Sequence, residues 1–248
     1  MRKLYLVCSI AIVGVVLVYQ FGRGVWYPMA VKMMGKKTVA DVILKYGDST
    51  KQVLAPLFNQ QGIAYPPKQL ALVAFKDSNV LEIWASNEDL DFRLIYSKPI
   101  KAASGQLGPK LREGDRQVPE GIYKIVGFNP NSAYHLSMKL NYPNAYDLKQ
   151  AEADRRSDPG TNIFIHGRAA SIGCLAMGDE VIEQLFSLVY ATGRENTTVL
   201  ISPTDPSKKR LVVPINAPVW TKDLYREIER HYLMINSAYK PLFDPKAA

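Results

Sequence analysis

Leu4 to Phe21 is an uncharged, mostly apolar run of 18 residues, preceded by Arg2 and Lys3. That length is just enough for a helix to span a bilayer. A cleaved signal peptide would need small residues at its cleavage site. Gly22-Arg23-Gly24-Val25-Trp26-Tyr27-Pro28 offers a poor one, whereas Trp26 and Tyr27 suit a membrane interface. Residues 1–27 therefore read as an anchor or signal, with a retained anchor through residues 4–21 favoured. Flanking charge does not orient it, because Arg2 and Lys3 face Arg23, Lys32, Lys36 and Lys37 across the run.

Beyond it, Val39, Val42, Ile43, Tyr46, Val53, Leu54, Leu57 and Phe58 recur at helical spacing. They predict a helix over Val39–Gly62, split at Gly47, within a helical prelude of residues 28–68. The period then changes. Leu70–Phe75 and Val80–Trp84, joined by Lys76-Asp77-Ser78-Asn79, predict a hairpin. Further strands are expected at 92–95, 121–128, 134–140, 162–165, 197–201 and 211–213. Asp179–Thr192 reads as a helix capped by Asp179 and stopped by Gly193. Thr221–Ile235 reads as a second amphipathic helix, within a C-terminal helical extension of residues 216–248. The fold class is α+β, with a strand-rich domain over residues 69–215 that holds one internal helix. A Gly-, Pro- and charge-rich loop, Ala103–Glu120, interrupts it. Loops that long in compact domains are usually functional or disordered.

Composition changes this picture little. Of 248 residues, 47% are hydrophobic and 22% charged, as in ordinary globular proteins. The net charge of +8 comes from scattered Lys and Arg without a run of five. That is a solvated surface, and no nucleic-acid partner is expected.

The cysteines say more. Cys8 lies in the apolar run, so Cys174 is the only thiol in the remainder. A lone thiol in an exported protein is either a buried inert residue or one kept for its chemistry. In Ile163-Phe164-Ile165-His166-Gly167-Arg168-Ala169-Ala170-Ser171-Ile172-Gly173-Cys174, a strand delivers His166 and a short loop returns with the thiol. A neighbouring base turns a thiol into a nucleophile. Gly173 lets the backbone approach closely, so the N–H groups of Gly173 and Cys174 could face an oxyanion. A helix N-terminus close after Cys174 would lower its pKa. A metal site using His166, Cys174 and His135 or His231 lacks paired-ligand spacing. No metal or cofactor is expected.

At these residues the sequence resembles the L,D-transpeptidase catalytic domain, or YkuD, family. His166-Gly167 and Ser171-Ile172-Gly173-Cys174 match its signature segments. So do Gly108-Pro109-Lys110, Glu113-Gly114-Asp115, Pro119-Glu120-Gly121 with Tyr123, and Asn141-Tyr142-Pro143-Asn144 with Asp147. The likeness runs from about Leu70 to Pro203. Ile172 stands where a second motif His is usual, Ala176 where Asn is usual, and Val118 where Thr is common. These departures resemble a YafK-like branch.

The resemblance implies a β-sandwich or barrel domain acting on peptidoglycan stem peptides outside the cytoplasm, anchored in the inner membrane or secreted. Cys174 would be the nucleophile and His166 its base. Gly173 would supply an oxyanion donor, and Ser171 or the Gly167 carbonyl would orient His166. Arg168, Lys110, Arg112 and Tyr142 would meet substrate. The acyl-enzyme would pass to an amine, or to water as in release of a peptidoglycan-linked protein. A non-catalytic envelope-binding module is the remaining alternative.

Overall fold

The computed structural model describes residues 2–88 and 91–237. Helices α1 (Arg2–Phe21), α2 (Arg23–Met34) and α3 (Val39–Gln60) lead into β1 (Gln69–Phe75), β2 (Val80–Ser86) and β3 (Arg93–Pro99). Then come β4 (Gly121–Ser132), β5 (His135–Leu140), α4 (Ala145–Ala153), β6 (Phe164–His166) and β7 (Leu175–Ala176). The described chain ends with α5 (Asp179–Thr192), β8 (Thr197–Ser202) and α6 (Thr221–Ile235). Met1 of the expected anchor and residues 238–248 of the expected C-terminal extension lie outside the described residues.

The strands form one mixed sheet in the order β3-β2-β1-β8-β4-β5-β6-β7. β1–β8 and β6–β7 are parallel and the other pairs antiparallel. β4 bends the sheet. Its first residues, Gly121–Lys124, pair with β8, and from Ile125 on it pairs with β5 through register shifts. Such shifts increase local twist. The sheet curls until its two ends meet in a barrel-like closure. Lys101 and Ala102, just beyond β3, donate to the Ala176 carbonyl of β7, and the Ala176 amide donates back to Ala102.

From Leu70 on, β1 is apolar because both its faces are covered. Leu70, Leu72 and Ala74 join the core shared with α3 and α5, while Ala71, Val73 and Phe75 pack under α6. From α6, Leu224, Tyr225, Ile228, Tyr232 and Ile235 are buried on that face, each apolar side chain contributing about 1.5–3 kcal/mol.

Several expectations change. α3 is not split at Gly47. A Thr38–Asp41 capping box starts it, and burial of Val42, Leu54 and Phe58 holds it, which outweighs the cost of about 1 kcal/mol for a helical glycine. α2 begins at Arg23 and so crosses the expected boundary at residue 27. Residues 211–213 form no strand. β8 already has β1 and β4 as neighbours, so no partner is free on either side of it. The domain holds two internal helices, because α4 was not anticipated. An Asn144–Asp147 capping box starts α4, and only Ala151 is buried on it, so it has almost no apolar stripe to read.

α1 is helical as expected, but among the described residues no helix is long and apolar enough to cross a membrane. The uncharged run of 18 residues in α1 sits at the lower limit of what a hydrocarbon core of roughly 30 Å requires. Ser9, Tyr19 and Gln20 also interrupt the run. The anchor expected through residues 4–21 is not supported.

Candidate active site

β6 carries His166 into the interior, where it is 3% exposed. Its Nδ1 lies 2.6 Å from the Gly167 carbonyl oxygen. A carbonyl only accepts, so Nδ1 holds the proton and Nε2 keeps its lone pair. The Tyr134 ring packs over the imidazole with centroids 4.7 Å apart. Burial holds His166 below its ordinary value of 6.5, partly opposed by the Gly167 carbonyl. The ring is therefore a neutral base at neutral pH. Gly167 has no room for a side chain: a Cβ there would lie 2.7 Å from the Tyr134 carbonyl oxygen and 2.8 Å from Asp179 Oδ1. Gly167→Ala is expected to destabilise by about 1–3 kcal/mol, with Tm falling about 2–4 °C per kcal/mol. An unchanged melting curve would show that this turn relaxes freely.

Cys174 directly precedes β7, which runs parallel to β6 with Ile165 opposite Leu175 and His166 opposite Ala176. The thiol thus sits one residue before the strand that pairs with the one carrying the imidazole. Among the described residues no hydrogen bond joins them; Sγ instead donates to the Asn162 carbonyl at 3.8 Å. Burial raises the thiol above its ordinary value of 9.0, and the Phe164 amide and the Lys110 charge work against it. The expected effect of a helix N-terminus is absent, because β7 and Gly178 separate Cys174 from α5.

The two amides assigned to an oxyanion are both engaged. Gly173 N–H donates to Ser104 Oγ at 2.6 Å, and Cys174 N–H donates to Ser171 Oγ at 2.9 Å. Ser104 Oγ donates onward to the Arg116 carbonyl at 2.7 Å. Ser171 Oγ donates to the Cys174 carbonyl at 2.6 Å. Ser171 therefore braces the turn at Cys174 and does not contact His166; the Gly167 carbonyl orients that ring. Gly173, at φ +95°, takes the backbone conformation that this turn needs.

The L,D-transpeptidase catalytic domain model, YkuD, matches residues 70–206. The chain belongs to that family. The chain is 33% identical over 144 residues to "Putative L,D-transpeptidase YafK" of Escherichia coli strain K12, covering 55% of this chain and 56% of that protein. It thus spans little more than half the length of the curated relatives it matches. Among solved structures it resembles the helical cell shape determining protein Pgp2 of Campylobacter jejuni, at 21% identity and TM-score 0.46, over 55% of this chain and 48% of that one. It also resembles Bd1075 of Bdellovibrio bacteriovorus, at 17% identity and TM-score 0.43, over 68% and 56%.

In this L,D-transpeptidase domain, the other expected site residues separate. Tyr142 is buried, and its hydroxyl donates to the Pro159 carbonyl at 2.7 Å. It holds the backbone and presents no free hydroxyl to a substrate, contrary to expectation. Arg168, at φ +60°, is tied to α5: its N–H donates to Asp179 Oδ1 at 2.8 Å, and Nε lies 3.5 Å from Asp179 Oδ2. Asp179 thus serves Arg168, while Gly178 holds the cap position of α5. Arg112 lines a cleft of about 470 Å³ with Pro109, Leu111, Asp115, Gln117 and Arg156. Lys110 is buried against Asp115. His135 pairs with Glu183 and His231 with the Glu227 carbonyl. Sequence reasoning missed Ser104, Asn162 and Tyr134. A serine, an asparagine and a tyrosine in loops and at a strand end carry no pattern that marks them.

Proposed function

We propose that Cys174 attacks the carbonyl on the L-centre of a diaminopimelate residue in a peptidoglycan stem peptide. The Sγ–C bond forms, the amide C–N bond to D-alanine breaks, and an acyl-enzyme results. Nε2 of His166 takes the thiol proton and returns it to the leaving amine. An amine acceptor then completes L,D-transpeptidation. The observation that carries this reading is the delivery of a buried, neutral, tautomer-fixed His166 on one strand and of Cys174 one residue before the strand that pairs with it, inside the span that matches the family.

Oxyanion stabilisation by Gly173 and Cys174 requires their amides to exchange a serine hydroxyl for the oxyanion. Charge favours that exchange, since charge-assisted hydrogen bonds are roughly twice as strong as neutral ones. Since the substrate is peptidoglycan, the enzyme works in the cell envelope.

The test is incubation of the full chain with purified disaccharide-tetrapeptide, followed by mass spectrometry. Cys174-dependent loss of D-alanine is expected, and Cys174→Ala should lower it roughly 10³-fold or more. Dimeric products identify an amine acceptor; tripeptide without dimers identifies water. If no product depends on Cys174, the reading is wrong for free stem peptides. A peptidoglycan-linked protein as substrate, or a binding role, then takes its place.

A further inference from the structure

Lys110 is a buried cation with a built environment. Its side chain is 4% exposed, and Nζ pairs with Asp115 Oδ1 at 2.5 Å and donates to the Arg112 carbonyl at 2.8 Å. Asp115 is saturated, for it also accepts the amides of Leu111, Arg112 and Gln117 at 2.9–3.0 Å. The pair is pressed onto Gly160. A Cβ there would lie 2.8 Å from Lys110 Cε and 3.2 Å from Nζ. Two residues further along, the Asn162 carbonyl accepts the Cys174 thiol. An extended chain covers at most about 7 Å in two residues, so ammonium and thiol rest on one short stretch of backbone.

The proposed chemistry leaves a gap that this cation fits. Forming a thiolate in a half-buried site needs a standing positive charge nearby. His166 does not supply one at rest, since it is neutral and no hydrogen bond joins it to Sγ. Other charged groups around the stretch include Glu113, whose Oε2 accepts the Thr161 amide at 2.8 Å, a second carboxylate, Asp158, whose Oδ1 accepts the Gly160 amide at 3.2 Å, and Arg156, whose Nη1 donates to the Leu111 carbonyl at 2.6 Å. Glu113 and Asp158 carry the wrong sign, and Arg156 is also paired with Asp154.

We propose that the Lys110–Asp115 pair is a positioning device for charge: Lys110 stabilises the Cys174 thiolate, and Asp115 tempers that field while fixing the ammonium in place. The inference rests on Cys174 being the nucleophile. It departs from a role for Lys110 in gripping a substrate carboxylate, since the ammonium is already buried and paired. The residual field at the thiol agrees in sign, because the Lys110 charge is among the influences that favour the ionised form.

The test is the pH profile of iodoacetamide alkylation of Cys174 in the full chain, with peptide mapping to separate it from Cys8. Lys110→Met should shift the profile to higher pH and lower the rate at pH 7 about tenfold. Lys110→Arg should keep the wild-type profile. Asp115→Asn should shift it the opposite way, to lower pH, which loss of a merely structural pair would not do. Superimposed profiles for wild type and Lys110→Met, or shifts of the same sign for Lys110→Met and Asp115→Asn, overturn the proposal. Should Lys110→Met fail to fold, Asp115→Asn decides alone: an acid shift supports the inference and no shift sinks it. Turnover that survives Cys174→Ala would instead refute the nucleophile itself, a separate outcome.

Discussion

Replacing His166 with Ala should lower turnover of a tetrapeptide substrate about 10²–10⁴-fold, the usual contribution of a positioned general acid–base. Alkylation of Cys174 in the same variant should change only a few-fold, because no hydrogen bond joins Sγ to the ring in the resting enzyme. The split arises because alkylation needs only a thiolate, whereas turnover needs a proton returned to a leaving amine. The wild-type pH profile carries the same signature. Burial keeps His166 below 6.5, so its basic form persists to lower pH and the acid limb of kcat/KM should fall below that value. His166→Ala should remove this limb. The linkage to stability has a matching sign. A folded-state value below the unfolded one means stability is intact above pH 6.5 and is lost as pH falls through the folded value. A turnover loss under tenfold would show that His166 is not the base.

Lys76→Met is expected to be the most destabilising single substitution in the domain. Lys76 and Glu120 form an ion pair at 3.0 Å with side chains 6% and 0% exposed. Lys76 Nζ also donates to the carbonyls of Gly108 and Val118, each at 2.9 Å. Glu120 accepts the Gly108 amide at 2.7 Å and the Tyr225 hydroxyl at 2.8 Å. One pair therefore fastens the segment just past β1 to both arms of the 103–120 loop and to α6. Removing the cation leaves a buried carboxylate unpaired, which costs about 3–5 kcal/mol. Tm should fall by about 6–20 °C. Adding Glu120→Gln should recover part of that loss, since the stranded charge disappears with it. A Tm drop of only 1–2 °C, or a double variant as unstable as the sum of the singles, would count against this account. Turnover should fall too, because the same loop carries Ser104, Lys110 and Gln117.

The regular elements were legible wherever one face or both faces of an element are apolar. β1, β2, β8, α5 and α6 lie within a residue or two of their expected positions. α4 was not, because a capping box starts it and only one buried residue marks its face. Residues 211–213 misled in the other direction: they have strand-forming side chains, but they pair with no strand, and β8, the preceding one, already has β1 and β4 on its two sides. For the site, the His-Gly and Gly-Cys pairs stand out as candidates because few residue types can supply a base and a soft nucleophile. Tyr142 was misread because the sequence does not say whether a hydroxyl faces solvent or a carbonyl.

By itself the sequence determined the α+β class and the family signature, and it put His166 at a strand end eight residues before Cys174. These follow from local periodicity and from intrinsic side-chain chemistry, which need only near neighbours in the chain. The tertiary structure alone decided that Nδ1 of His166 carries the proton, that Ser104 and Ser171 hold the amides of Gly173 and Cys174, and that Lys110 lies buried beside Asp115. Such choices depend on which distant segments share a buried space. Ser104 is 69 residues from the amide it engages. Burial drives most polar groups to whatever partner the closing barrel brings to them.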